Sequence, residues 1–249
     1  MISAKPDPPN IYDWDVPILM VDVNPGQDND LNPDEWDLTT QQLLPHMNGV
    51  YHVQKIANRA GVDSSLVKAA VQNLVYHGVI TIVPIFLYSN VYCLTPMISK
   101  LRENEQLRTS FMDFIKKDPH DERIVLFKDV FRMISDFNNH TNVTDICHQY
   151  RPSENLNIDE GKLVQFLVMK KILRRVHKYP VYVSDANNVA GSLGTNNVGG
   201  VQGSASEYYQ YFTGNGQTHF DEICCRTGIS PRTLEEMIDN DPNVYILRQ

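Results

Sequence analysis

His52-Val-Gln-Lys-Ile-Ala-Asn-Arg-Ala-Gly-Val-Asp-Ser-Ser-Leu-Val-Lys-Ala-Ala-Val-Gln-Asn-Leu-Val-Tyr-His-Gly78 is the stretch whose reading decides the fold. Val53, Ile56, Ala57 and Ala60 recur at helical spacing, so they line one face of a short helix. Gly61 supplies the left-handed turn after it, and Asp63 is placed to cap a second helix carrying Leu66, Val67, Ala70, Val71, Leu74 and Val75. Gly78 ends that helix. Upstream, Asp37 caps a helix with Leu38, Leu43 and Met47 on its apolar side, closed by Asn48-Gly49. Downstream, Val79 to Leu87 is a β-branched run, Tyr88-Ser-Asn90 is a turn signal, and Val91 to Leu94 is expected to return as the second strand of a hairpin. Three helices followed by such a hairpin form a winged helix.

The pattern recurs. A shift of 167 residues places Val53, Ile56, Ala57, Gly61, Val62 and Val67 on Phe220, Ile223, Cys224, Gly228, Ile229 and Leu234. There Ser230-Pro231 opens the last helix and Asn243 to Leu247 is the strand after it. A shift of 90 places Val53, Ile56 and Ala57 on Val143, Ile146 and Cys147, which gives a middle copy built from Phe127 to Phe137, Val143 to Tyr150 and Ile158 to Lys171, with a strand from Leu173 to Val183 and a blurred turn. The expected class is therefore α+β, mainly α with small β wings, in tandem winged-helix or helix-turn-helix modules. The divisions are a Pro/Asp-rich linker over 1–35 with a short strand in Val16 to Val23, a first module over 36–98, a second over 99–184, a flexible Gly/Asn/Ser-rich insertion over 185–217, and a C-terminal module over 218–249. Tyr208, Tyr209, Tyr211 and Phe212 interrupt the insertion and are able to dock locally.

Composition narrows the function. The chain is 42% apolar with net charge −8 and offers neither an apolar run of membrane-spanning length nor a secretory signal, so a soluble intracellular protein is expected. Its four cysteines have no metal-ligand spacing and suit a reducing compartment. Acids outnumber bases nine to one over residues 1–50 and eight to three over 181–249, whereas 51–180 holds eighteen bases and thirteen acids. The recognition-position helices lack a basic face: Lys68 is balanced by Asp63, and Arg232 faces Glu235, Glu236, Asp239 and Asp241. Phosphate contacts dominate affinity for DNA, so a DNA-binding transcription regulator is the weaker alternative and nucleic acid an unfavoured partner.

No Gly-rich phosphate loop, His-Glu zinc pair, nucleophile elbow or spaced cysteine set is present, so the reading assigns no catalytic, cofactor-binding or metal-ligating residue. His52 and His219 begin helices and read as caps. The candidate interface residues are Tyr88 and Tyr92, with Tyr76 near them, and the basic run Lys170, Lys171, Arg174 and Arg175, continued by Lys178. That run suits a solvated helix end, a protein partner, or peripheral contact with an anionic membrane surface.

The strings Asp15-Val-Pro17, Trp36-Asp-Leu-Thr-Thr-Gln-Gln42, His52-Val-Gln-Lys-Ile-Ala57, Tyr88-Ser-Asn-Val-Tyr-Cys93, Lys162-Leu-Val-Gln-Phe166, Lys178-Tyr-Pro-Val181, Asp221-Glu-Ile-Cys-Cys225 and Asp241-Pro-Asn243 resemble the C-terminal half of the nitrogen permease regulator 2-like family. The resemblance implies a subunit of the GATOR-one complex, called SEACIT in fungi. Its implied partners are a nitrogen permease regulator 3-like subunit and a DEP-domain scaffold. It further implies a GTPase-activating complex that acts on a Rag GTPase at the lysosomal or vacuolar surface. That complex opposes TOR signalling when amino acids or nitrogen are scarce and permits autophagy. In the family the arginine finger belongs to an N-terminal longin domain, so the resemblance implies that this stretch serves assembly and that catalysis is supplied elsewhere.

Overall fold

Three times along the chain a strand is laid down, the chain passes through helices, and a later strand returns to pair antiparallel with the first. The computed structural model describes residues 8–20, 36–118, 120–121, 125–183, 208–212 and 218–249. In the first passage β1 (Val16–Leu19) precedes α1 (Leu38–Leu43), α2 (Val53–Ala60) and α3 (Ser64–Tyr76), and β2 (Ile80–Val83) pairs with β1 in the register Val16 to Val83 through Leu19 to Ile80. In the second, β3 (Val91–Leu94) precedes α4 (Ser99–Glu103), α5 (Glu105–Phe114), α6 (Phe127–Ser135), α7 (Val143–Tyr150), α8 (Pro152–Asn155) and α9 (Glu160–Met169). There β4 (Leu173–Val176) returns to β3. In the third, β5 (Lys178–Tyr182) precedes α10 (Tyr209–Phe212), α11 (Phe220–Thr227) and α12 (Pro231–Asp239), and β6 (Val244–Arg248) returns to β5. The class is α+β, as expected.

The wing is built differently from the expectation. The sequence predicts a hairpin over Val79 to Leu94, but β2 pairs with β1 and β3 with β4, so the two strands expected to face each other belong to different sheets. Tyr88-Ser-Asn90 therefore connects sheets and does not close one. The strand read from Leu173 to Val183 is likewise two strands, β4 and β5, broken at His177. Residues up to Val176 and residues from His177 onward form two separate compact units. Residues 185–207 and 213–217 of the expected flexible insertion, like 1–7 and 21–35 of the expected linker and residue 184 before the insertion, lie outside the described residues. Within the described part, β1 is a structural strand, and Phe212 is 4% exposed in a core with Phe220, Ile223, Leu234, Ile238 and Val244, against which Tyr208 and Tyr211 pack.

The strand that opens each of the first two passages also finishes a helix. The first N–H groups of a helix have no partner inside it. In α2, the Val53 N–H donates to the Asp15 carbonyl at 2.9 Å and the Gln54 N–H to the Asp13 carbonyl at 3.0 Å. In α7, the Val143 N–H donates to the Asn90 carbonyl at 3.1 Å and the Thr144 N–H to the Tyr88 carbonyl at 2.9 Å. Asp15 and Asn90 are each the residue immediately before the opening strand, so strand and helix dock in the same way twice. Isolated bridges from Ile18 to Asn48 and from Val91 to Asn142 tie the entry to each helix onto the same strand. Asp13 extends the docking to α3 by accepting from Ser64 Oγ at 2.8 Å and Lys68 Nζ at 2.9 Å.

The helix-turn-helix corners show the repeat most directly. α2 and α11 begin at His52 and His219, whose Nδ1 atoms accept the N–H three residues on, and both end on a left-handed glycine, Gly61 at φ 66° and Gly228 at φ 74°. The equivalent position after α7 is Arg151, at φ 46°, before Pro152. Arg151 therefore takes a backbone conformation that its Cβ disfavours. That is why the middle turn looked blurred: the glycine is missing and the short α8 is inserted before α9.

Inside the first unit the apolar residues form a core of α1, α2, α3 and β2 around Leu43, Ile56, Val67 and Val71, and a larger one around Tyr92, Leu101, Phe111, Ile134, Ile146 and Leu167. Val16, Ile18 and Val83 of the first sheet pack on Val168 and Met169 of α9, which joins the two. At that seam Gln165 Nε2 donates to the Gly49 carbonyl at 3.2 Å; Gly49 has φ +74°, and any Cβ there would overlap Gln165.

Two consequences are measurable by chemical denaturation of the chain. Arg151→Gly relieves the left-handed strain and is expected to stabilise the first unit by about 0.5–1 kcal/mol, whereas Gly228→Ala is expected to cost the second unit about 1 kcal/mol. A Cβ at Gly228 meets no atom within 4 Å, so that cost is conformational strain alone. Asp13→Ala, which leaves the backbone capping bonds in place, should cost about 1 kcal/mol through the lost Ser64 and Lys68 contacts, a modest figure because the pair is about one-third exposed.

Candidate interaction surface

Strand alternation sorts the candidate interface residues into two groups. In the β3–β4 pair, Tyr92 lies opposite Arg175 and Cys93 opposite Arg174. Successive side chains point to opposite faces, so Tyr92 and Arg175 share one face. That face is the inner one. Tyr92 is 1% exposed, its ring edge-on to Phe137 at 6.5 Å, and it offers no surface to a partner. Arg175 is half-buried and donates from Nη1 to the Ile85 carbonyl at 3.1 Å and from Nη2 to Asn90 Oδ1 at 2.9 Å. These two positions are thus corrections to the expected interface: both are internal supports.

Asn90 is the residue that the sequence reading missed. It is 6% exposed, donates from Nδ2 to the Ile85 carbonyl at 2.7 Å and to Tyr92 Oη at 3.3 Å, accepts from Arg175, and caps α7 with its backbone carbonyl. A buried amide holding this many partners fixes the path of the chain between the two sheets. In the sequence it looked like an ordinary turn asparagine, with nothing to mark its burial.

The other members stay at the surface. Tyr88 is 51% exposed with its ring edge-on to Phe86, while its backbone carbonyl accepts from the N–H and Oγ of Thr144. Lys170, Lys171 and Arg174 are exposed. Lys170 lies over the Phe166 ring, and Lys171, at φ 57°, makes the turn from α9 into β4. The lysine and the arginine on the recognition-position helices are engaged by acids: Lys68 by Asp13, and Arg232 by Glu236 at 3.0 Å. Pairing with carboxylates lowers what these side chains can offer a phosphate backbone.

A groove and an exposed strand face complete the picture. In the first unit a groove of about 500 Å³ runs between the first sheet and α9, with Ile18, Val83, Phe86, Phe114 and Val168 as apolar walls and Gln165 among its polar members. In the second unit β6 presents Tyr245, 58% exposed, and Leu247, 55% exposed, on the side opposite Val244 and Ile246, which pack in the core. Neither hollow nor strand face brings together a nucleophile with a base. Burial, helped by the nearby Glu160 charge, pushes the Cys147 thiol up to about 11, so it is held protonated and poorly nucleophilic. Among the described residues, His177, His219 and Asp221 of the second unit are the group able to hold a metal. Among the described residues no helix is long and apolar enough to cross a membrane.

The sequence profile of the family described as "Nitrogen permease regulator 2" matches residues 1–124 and 115–241. The chain is 35% identical over 247 residues to the GATOR complex protein NPRL2 of Drosophila melanogaster, covering 99% of this chain and 53% of that protein. It is 25% identical over 240 residues to the nitrogen permease regulator 2 homolog of Schizosaccharomyces pombe, covering 96% of this chain and 54% of the homolog. A shorter match, 30% identical over 63 residues, joins it to nitrogen permease regulator 2 of Saccharomyces cerevisiae across 25% of this chain and 10% of that protein. The chain spans about half the length of the first two relatives. With the family profile matching nearly its whole length, the chain belongs to the nitrogen permease regulator 2 family.

Proposed function

We propose that this chain is the assembly part of a subunit of the GTPase-activating complex that acts on Rag GTPases and restrains TOR signalling when amino acids or nitrogen run short. The observation that carries the reading is the similarity, across 99% of the chain, to a protein named as a member of the GATOR complex. The partners in this reading are a nitrogen permease regulator 3-like subunit and a DEP-domain scaffold, with the Rag GTPase reached through the whole complex. An arginine finger from a longin domain outside this stretch supplies catalysis. The site of action is the cytoplasmic face of the lysosomal or vacuolar membrane, where the exposed Lys170, Lys171 and Arg174 suit a peripheral contact with anionic lipid.

The fold supports an assembly role through what it leaves uncovered. Exposed aromatic and aliphatic side chains on a rigid strand, here Tyr245 and Leu247 of β6, are of the kind that anchors protein interfaces at low entropic cost. Tyr88 is a smaller candidate of the same kind in the first unit.

Co-expression with the regulator 3-like subunit and the scaffold, followed by size exclusion, tests the reading. The chain is expected to elute with its partners and, alone, to leave the rate of Rag GTP hydrolysis at its basal value. Tyr245→Asp combined with Leu247→Asp should weaken the assembly by about tenfold or more with the chain still folded. Elution as a free chain, or strong stimulation of hydrolysis by the chain by itself, would contradict it.

A further inference from the structure

In the second unit His177, His219 and Asp221 converge, with one donor atom from each lying within 4.8 Å of the others. We propose that they form a binding site for a divalent zinc-type metal ion, which ties the start of β5 to the first turn of α11.

Rigid elements place all three donors. His177 exchanges both backbone hydrogen bonds with Gln249, at 2.8 and 3.0 Å, so it continues the β5–β6 ladder by one pair. His219 is the N-cap of α11 and Asp221 stands two residues on, in its first turn. The imidazole rings are 4.8 Å apart at an interplanar angle of 45°, and the Tyr179 ring stands edge-on to His219 at 6.1 Å. Asp221 is 5% exposed, one of few charged side chains so deeply placed among the described residues.

The donor set selects the ion. Two imidazole nitrogens and one carboxylate oxygen suit zinc and neighbouring first-row divalent ions, whereas calcium and magnesium favour oxygen ligands throughout. Ligand atoms around tetrahedral zinc lie about 3.4 Å apart, so a pair at the full 4.8 Å has to close by about 1.4 Å, which side-chain rotation can supply. Three protein ligands leave a fourth position for water.

The position within the fold is the second argument. His177 directly precedes the opening strand of its passage, as Asp15 and Asn90 precede theirs. Those two residues join strand to helix through carbonyls that accept from Val53 and Val143. In the third passage the His177 carbonyl accepts from Gln249, and the side chain of His177 is what reaches the helix start. A metal there would perform by side-chain ligation the joining that backbone bonds perform in the other two. His219 Nδ1 accepts from the Glu222 N–H at a long 3.3 Å. A ring that accepts at Nδ1 carries its proton on Nε2. Ligation through Nε2 moves that proton to Nδ1, and ligation through Nδ1 displaces the Glu222 N–H. Either way the Glu222 amide reports binding.

The test uses the whole chain, freed of metal with a chelator and titrated with zinc chloride, and in parallel with cobalt(II) as a coloured substitute. One equivalent of zinc is expected to bind, raising the melting temperature and shifting the Glu222 amide resonance, and cobalt should give the visible bands of a low-coordinate nitrogen and oxygen site. His219→Asn, which keeps a capping acceptor, and His177→Gln should each weaken zinc binding by at least about tenfold while the metal-free circular dichroism stays that of the parent. Absence of saturable binding, or equal affinity in both variants and the parent, would overturn the proposal.

Discussion

The first-turn N–H groups of α2 and α7 have to be satisfied from outside their helices, and the rest of the fold follows from how this is done. A buried N–H left without a partner costs about 1–3 kcal/mol, so the carbonyls of Asp13 and Asp15, and of Tyr88 and Asn90, cannot be moved lightly. Because each pair of carbonyls leads straight into a strand, fixing the helix start also fixes where β1 and β3 run. The returning strands β2 and β4 then have one available edge each, beside β1 and β3. The closing of each passage on itself, in place of a hairpin between passages, is a consequence of that docking.

Much of this was legible along the chain wherever the signal was local. Gly61 and Gly228 need a left-handed backbone, His52 and His219 sit where helix caps belong, and the apolar spacing between them is short-range; α2, α3, α11 and α12 follow. The partner of β2 was not legible, because the alternation in Val79 to Leu87 is the same whichever strand lies beside it. Arg151 conceals the middle turn by occupying a glycine position, and the pair α4 and α5 has no counterpart in the repeat, although Leu107, Phe111 and Ile115 recur at helical spacing. The inward position of Tyr92 and Arg175 is hidden for a related reason: a tyrosine and an arginine look like surface residues until the register places both on the inner face of β3–β4.

The same distinction governs function. Family membership was carried by short strings of residues spread along the chain, and these coincide with structural joints: Asp15 docks α2, Asn90 links two sheets, Gln165 holds Gly49, and Asp221 lies buried beside two histidines. The histidine and carboxylate group could not be seen in sequence, since His177 is separated from His219 by a long stretch outside the described residues and comes near it only once β5 meets α11.

Amide hydrogen exchange at Val53, Gln54, Val143 and Thr144 tests the central constraint most directly. First-turn amides that lack acceptors exchange nearly as fast as those of an unfolded chain, whereas amides bonded to the strand-leading carbonyls should be protected to the same degree as the interiors of α2 and α7. Protection of all four at that level is the expected result; exchange at unprotected rates, with the helix interiors still slow, would contradict the account.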